Sequence, residues 1–281
     1  MSLKDQARSI SQKISNIART RNTAYINVLT EFLIERLLVR IVSDKNLQEA
    51  LVFKGGFVSL KIYSSPRYTV DLDAVLKKSN IRQTLARVRK AVEQDFGDAV
   101  WFRCESETNL TTQGEYGGIR LLFRSGVGEV LKDLKRAQVL NFDLGIGDPI
   151  IPAPVQEETQ TLLGPDPIHW QVYPIETVIA EKLHALIVRG SDNSRSKDVF
   201  DLQLFLPKAN GKKLRAALKA CFGYRKTELP KNLAAELQKI DLKLLSMGWA
   251  SATASIKNAP TCEEAFRILV SNIRTLKDLE G

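Results

Sequence analysis

The stretch Tyr68–Leu76 constrains this chain more than any other. Val70, Leu72 and Ala74 alternate there with Asp71 and Asp73. Side chains two residues apart in a strand share a face. The pattern therefore predicts a strand with an apolar face (Val70, Leu72, Ala74) and two carboxylates projecting together from the other. Two like charges held that close repel each other unless something positive lies between them. A hard divalent cation such as Mg2+, or Mn2+ in its place, meets that need, because it takes carboxylate oxygens and keeps room for substrate phosphates.

Ahead of this strand stands Lys54-Gly55-Gly56, entered through Leu51, Val52 and Phe53 and followed by Phe57, Val58, Leu60 and Ile62. A glycine pair at that point lets backbone N–H groups approach an anion at a helix N-terminus. Each half also has a plainer reading. Gly-Gly before a helix is more often a tight turn, and an Asp-x-Asp strand end is more often a solvated edge that guards against aggregation. Taken together, with seventeen positions from Lys54 to Asp71, they read as a nucleotide site.

The rest of the chain divides into a mixed region and a helical one. Helical spacing predicts helices over Leu3–Arg21 and Thr23–Ser43, the second with a wide apolar face that could be core or interface. A short strand (Leu51–Phe53), a helix to about Tyr63, a loop at Ser64-Ser65-Pro66 and the Asp-x-Asp strand follow. Residues 79–96 read as a helix. Strands are predicted at Ala99–Cys104, Ile119–Phe123, Arg136–Leu144, Thr159–Leu163 and Trp170–Tyr173. From Ile175 onward only helices are predicted, over 175–190, 196–206, 211–222, 231–247 and 261–277. This predicts an α/β (α+β) core, residues 1–174, with a mixed sheet, and a helical C-terminal lobe, residues 175–281, that contributes to the site.

Composition narrows the function classes. With 281 residues and 44% apolar content the chain can build proper cores. The three cysteines are scattered and only two histidines exist, so a disulfide scaffold, a zinc ribbon and a Ser-His-Asp triad are poorly supplied. The polar N-terminus and the lack of a long apolar run predict a cytoplasmic protein with no membrane partner. A net charge of +9 suits a polyanionic partner, nucleic acid foremost, although many basic domains bind nothing in particular.

Further residues join the candidate site. Asn141 and Asp143 share the polar face of the Val139–Leu144 strand pattern. Asp143 would supply a third carboxylate, as metal ligand or as base for an attacking hydroxyl; its plainer reading is a polar edge residue before the turn Gly145-Ile146-Gly147-Asp148. Lys182 falls inside the apolar stripe of its helix, where it either snorkels or neutralises phosphate. Asp198 and Asp201 share a helical face, where the local reading has Asp198 at the positive helix end and Lys197 pairing with Asp201. His169 and His184 are expected to be ordinary packing residues, and the tyrosines, Trp101, Trp170 and Trp249 show no stacking pattern of the RNA-binding kind.

Phe53-Lys54-Gly55-Gly56 followed by Ser65-Pro66-Arg67-Tyr68-Thr69-Val70-Asp71-Leu72-Asp73 resembles the signature of the AbiEii/AbiGii-type nucleotidyltransferase toxins. Phe142-Asp143, Ala180-Glu181-Lys182-Leu183-His184-Ala185-Leu186 and Lys197-Asp198-Val199-Phe200-Asp201-Leu202 continue the resemblance in order, over roughly residues 25–206. It departs at Thr69 and Lys197, where Ser and Arg are usual, and at Phe57, which stands for a small Thr or Ser and is expected to narrow the entrance beside the glycines. The hydroxyl of Thr69 is expected to keep a phosphate or metal-water contact.

The resemblance implies a polymerase-β-like nucleotidyltransferase core, and a toxin of a bacterial toxin–antitoxin or abortive-infection system with a separately encoded antitoxin. Some relatives extend the 3′ end of tRNA. The expected chemistry is Mg2+-dependent transfer of a nucleoside monophosphate from an NTP to an acceptor hydroxyl. Asp71, Asp73 and Asp143 would hold metal; Lys54, Gly55, Gly56 and Thr69 would face the phosphates. Lys182 would offset charge on the pyrophosphate, with Arg67, Asp198 and Asp201 in support. Two alternatives remain open: an enzyme of the same fold acting on a protein or small molecule, and a non-catalytic protein that sequesters nucleotide or RNA.

Overall fold

A computed structural model describes residues 1–77, 80–110, 117–147, 149–189 and 195–276. The predicted positions 79, 148, 190 and 277 lie outside them. The chain forms two compact units, one of Met1–Ile62, Tyr68–Gly147 and Gln156–Val172, the other of Tyr63–Arg67, Asp148–Val155 and Tyr173–Gly281.

The first unit is built on a seven-stranded mixed sheet. Its strands are β1 (Leu51–Lys54), β2 (Asp71–Leu76), β3 (Val100–Leu110), β4 (Gly118–Val127), β5 (Gln138–Ile146), β6 (Val155–Thr159) and β7 (Ile168–Val172), in the order β3-β4-β5-β2-β1-β7-β6. β2 runs parallel to β5 and antiparallel to β1, while β4 is antiparallel to both β3 and β5. Alternation decides the faces: Leu72, Ala74, Leu121, Phe123, Phe142 and Leu144 are fully buried, which leaves the odd-numbered aspartates of β2 and β5 on the opposite face.

The helices α1 (Leu3–Arg21), α2 (Tyr25–Ser43), α3 (Lys45–Ala50), α4 (Gly55–Lys61) and α5 (Ile81–Val92) belong to this unit. The wide apolar face of α2 is core, since Val28, Leu33, Ile34, Leu37, Leu38 and Ile41 are fully buried. Burial extends to its charged residues Glu31, Glu35 and Arg40, and each of the three has a partner. Arg21 and Lys61 pair with Glu31, Lys61 also pairs with Glu35, and Arg40 grips Asp98. The guanidinium of Arg40 reaches Asp98 at 2.7 and 3.0 Å and the Val100 carbonyl at 2.8 Å, which fixes the start of β3.

Several predicted boundaries move for identifiable reasons. The hydroxyl of Thr69 accepts from the Asp71 N–H at 3.1 Å, so β2 begins at Asp71; Val70, expected on the apolar face, is 55% exposed outside the strand. The strand expected at Thr159–Leu163 ends at Thr159. Thr161 closes a turn onto Gly164, and Glu35 takes the Leu162 N–H, so that backbone cannot join a ladder. Asn80 caps α5 through the Arg82 and Gln83 N–H groups.

The second unit packs α6 (Ile175–Arg189) with α8 (Gly211–Tyr224) and α7 (Ser196–Phe205) with α12 (Cys262–Thr275). The single helix expected over 231–247 is instead α9 (Leu233–Leu237) and α10 (Leu242–Met247), followed by α11 (Trp249–Thr253). The side chains of Asn232 and Asp241 accept from Ala235 and Lys243, and each restarts the chain as a new helix. His184 packs edge-on against Phe222, receives Arg225 on Nδ1 at 3.1 Å and meets the Thr227 hydroxyl through Nε2 at 2.9 Å. His169 is not a packing residue; its side chain is exposed near Glu158.

Two outcomes follow. Arg40→Met strips a fully buried cation from Asp98 and should lower stability by about 3 kcal/mol or more, read as a shift of the urea midpoint. Burial first, and Arg225 second, push His184 down to about 4. The folded state therefore refuses a proton that the unfolded chain accepts near pH 6.5. Stability from this group is complete above that pH and is lost progressively as pH falls towards 4. Urea unfolding at pH 7 and pH 5 should show that loss, and His184→Gln should flatten it.

Candidate active site

Parallel pairing sets Asp71 opposite Asn141 and Asp73 opposite Asp143. The polar face of the sheet thus carries three carboxylates and one amide on two adjacent strands. Asn141 donates from Nδ2 to Asp71 Oδ1 at 2.8 Å. On the other side of β5, Arg120 lies opposite Asp143, and its Nε and Nη2 reach the two carboxylate oxygens at 2.7 and 2.6 Å. The hydrogen bonds to Asp143, against a desolvation penalty and with added attraction from Asp71 and Asp73, hold Arg120 more firmly protonated than an ordinary arginine.

Gly55 and Gly56 open α4 directly after β1. Gly55 has φ +74, and a Cβ there would lie 2.0 Å from Asp73 Oδ2; a Cβ on Gly56 would lie 2.9 Å from both Cβ and Oγ1 of Thr69. The pair is therefore needed for the close approach of α4 to the carboxylate strand, whatever else its N–H groups bind. Lys54, in register opposite Asp73, completes the row. Phe57 is not at an entrance: it is fully buried, with its ring 6.0 Å from that of Trp170.

For a divalent cation, the two carboxylates that β2 presents on one face fit the mode in which Mg2+ takes one or two carboxylates together with phosphate oxygens. Among the described residues no group of three or more His, Cys, Asp or Glu is arranged to hold a metal ion. Both oxygens of Asp143 face Arg120 instead.

The remaining predicted residues form an ion network in the second unit. Lys182 Nζ lies 2.7 Å from Asp198 and 2.8 Å from Asp201. Asp201 also accepts from Arg67 at 3.0 and 3.3 Å and from Ser65 at 3.2 Å. Arg195 pairs with Asp198. The local pairing of Lys197 with Asp201 gives way to Lys182 and Arg67. Burial opposes charge on both Lys182 and Asp201, but mutual attraction wins: the lysine sits above its ordinary value and the aspartate below its own.

The sequence matches the family described as nucleotidyl transferase AbiEii toxin, Type IV TA system, over residues 36–270. The chain belongs to the AbiEii nucleotidyltransferase toxin family. That membership implies a nucleotide substrate and an antitoxin partner. Two solved structures are similar to this chain. One, described as a candidate nucleotidyltransferase of Helicobacter pylori, has a TM-score of 0.51 and 19% identity over 90% of this chain and 95% of its own. The other, JHP933 of the same organism, has a TM-score of 0.49 and 20% identity over 90% and 93%. Among curated proteins none matches. No helix among the described residues is long and apolar enough to cross a membrane.

Arg120 was not foreseen. The alternation of Ile119–Phe123 shows which face it takes, but only strand register reveals that Asp143 is its neighbour. Gly55→Ala should displace Asp73 and abolish nucleotidyl transfer. Gly97→Ala, at φ +65 with nothing within 4 Å of its Cβ, should cost only the backbone strain of about 1–2 kcal/mol and leave activity intact. Parallel urea melts and activity assays separate the two.

Proposed function

We propose that this AbiEii-family chain transfers a nucleoside monophosphate from an NTP to an acceptor hydroxyl, the 3′ end of tRNA foremost, and releases pyrophosphate. The observation that carries the reading is the shared face of Asp71 and Asp73 beside the glycine turn at Gly55 and Gly56. Mg2+ or Mn2+, when bound by Asp71 and Asp73, would neutralise triphosphate charge as the reaction proceeds. The acceptor oxygen forms a bond to the α-phosphorus, the bond from that phosphorus to the bridging oxygen breaks, and the hydroxyl proton leaves to solvent or to a carboxylate.

Asn141 orients Asp71 through its amide, and Thr69 fixes the backbone where β2 begins. Lys54, Gly55 and Gly56 are assigned to the phosphates on their place in the family motif and beside Asp73. Lys182 is assigned to the leaving pyrophosphate by the same resemblance; Asp198 and Asp201 keep it charged and Arg67 anchors Asp201. The net charge of +9 supports a polyanionic acceptor. Asp143, with both oxygens on Arg120, is poorly placed to act as a base.

The test is incubation of the protein with each α-labelled NTP, Mg2+ and total RNA. Label should appear on small RNA with at least one NTP. Asp71→Asn and Asp73→Asn should each reduce it by on the order of 10²- to 10³-fold, the usual loss when one electrostatic stabiliser is removed. Label on protein in place of RNA would move the acceptor to a side chain, and label insensitive to both variants would overturn the site.

A further inference from the structure

Positive charge is concentrated in one stretch of the chain. Residues 202–227 hold seven of the 41 lysines and arginines and no aspartate or glutamate, while the other 34 cations stand against 32 acids. Seven of the nine net charges therefore come from α8 and its flanks. Two of the seven cations turn to the protein: Lys208 donates to the Tyr63 carbonyl at 2.8 Å, and Arg225 reaches His184 and Glu181. Lys212, Lys213, Lys219 and Lys226 are exposed, and none of these four pairs with a carboxylate among the described residues.

The buried face of α8 is Leu214, Ala217, Leu218, Cys221 and Phe222. Opposite it, spacings of four, three and four place Lys212, Ala216, Lys219 and Gly223 on one exposed stripe. A solvated helix face gains support from opposite charges three or four residues apart. This one has none: Arg215 stands three residues from Lys212 and four from Lys219, where like charges repel. Lys212 and Lys213 also occupy the first turn, where the helix dipole disfavours cations and no acid offsets them. The arrangement costs α8 stability, so helix formation does not account for it; a polyanion against the stripe does.

The chemistry of the stripe selects the polyanion. Protein interfaces are depleted in Lys and gather aromatic residues, and a helix lying on a membrane needs large apolar side chains. Ala216 and Gly223 supply neither. A Cβ on Gly223 would meet nothing within 4 Å, so a phosphate backbone has room to close on the helix. Lysine, a point charge, holds phosphate without reading bases.

We propose that the outer stripe of α8 is a docking surface for the phosphate backbone of the acceptor RNA, gripped without regard to sequence. The proposal rests on the nucleotidyltransferase reading and concerns how the acceptor is held.

Fluorescence anisotropy of dye-labelled total tRNA with the full chain, without NTP and over a range of KCl, tests it. Lys212→Gln with Lys219→Gln should weaken binding about tenfold or more and lower the slope of log K against log salt by about 1.5 to 2, as two counterions are no longer released. The same pair should leave the urea midpoint unchanged or higher, because it relieves repulsion. Lys212→Arg with Lys219→Arg should bind as the wild type does. So should Lys45→Gln with Lys132→Gln, which removes the same charge from exposed positions elsewhere. Equal losses in both Gln pairs, no loss in the α8 pair, or wild-type binding to phosphatidylglycerol vesicles in place of tRNA would overturn the inference. Label transfer from α-labelled NTPs to the same tRNA reads the nucleotidyltransferase reading separately, and the α8 Gln pair should keep the wild-type rate at saturating tRNA. Binding through α8 with no label from any NTP would overturn that reading and the acceptor's role with it; label transfer with binding indifferent to the α8 pair would overturn this inference alone.

Discussion

Parallel pairing of β2 with β5 is the constraint on which the candidate site depends. It lays Asp73 beside Asp143 and Asp71 beside Asn141, concentrating negative charge on one face of the sheet. A slip of one residue would turn the aspartates into the core and the leucines outward. The buried residues Leu72, Ala74, Phe142 and Leu144 forbid that slip, so the hydrophobic core holds the carboxylates in place.

A face so charged must be balanced from nearby. Arg120 and Lys54 do this from the flanking strands, and Asn141 does it by hydrogen bonding alone. The glycine turn belongs to the same arrangement, because any side chain at Gly55 would collide with Asp73. The second unit follows a similar logic more deeply buried: Asp201 gathers Ser65, Arg67 and Lys182, and Lys182 reaches on to Asp198. In both places ionic groups are kept inside or near protein only with partners whose geometry satisfies them.

Much of the fold was legible in the chain. Apolar repeats at three and four marked α1, α2, α6, α8 and α12, and alternation marked β2, β4 and β5, because burial on one face writes a period into the sequence. The errors came where side chains took over the backbone. Thr69 delayed β2, Thr161 and Glu35 kept Leu162 out of a strand, and Asn232 and Asp241 split one expected helix. Phe57 was misread because its apolarity could suit an entrance or a core, and only its place beneath Trp170 decides.

By itself the sequence determined the family, the strand that carries Asp71 and Asp73, and the glycine pair ahead of it, since these are local patterns of spacing and residue type. Tertiary structure alone decided which residue faces which. Arg120 and Asp143 stand 23 positions apart, and Arg67 and Asp201 stand 134 apart. Nothing in local periodicity encodes the strand register or helix packing that joins them. Those pairings follow from how the apolar faces close together, and charge compensation at the candidate site is settled only when they do.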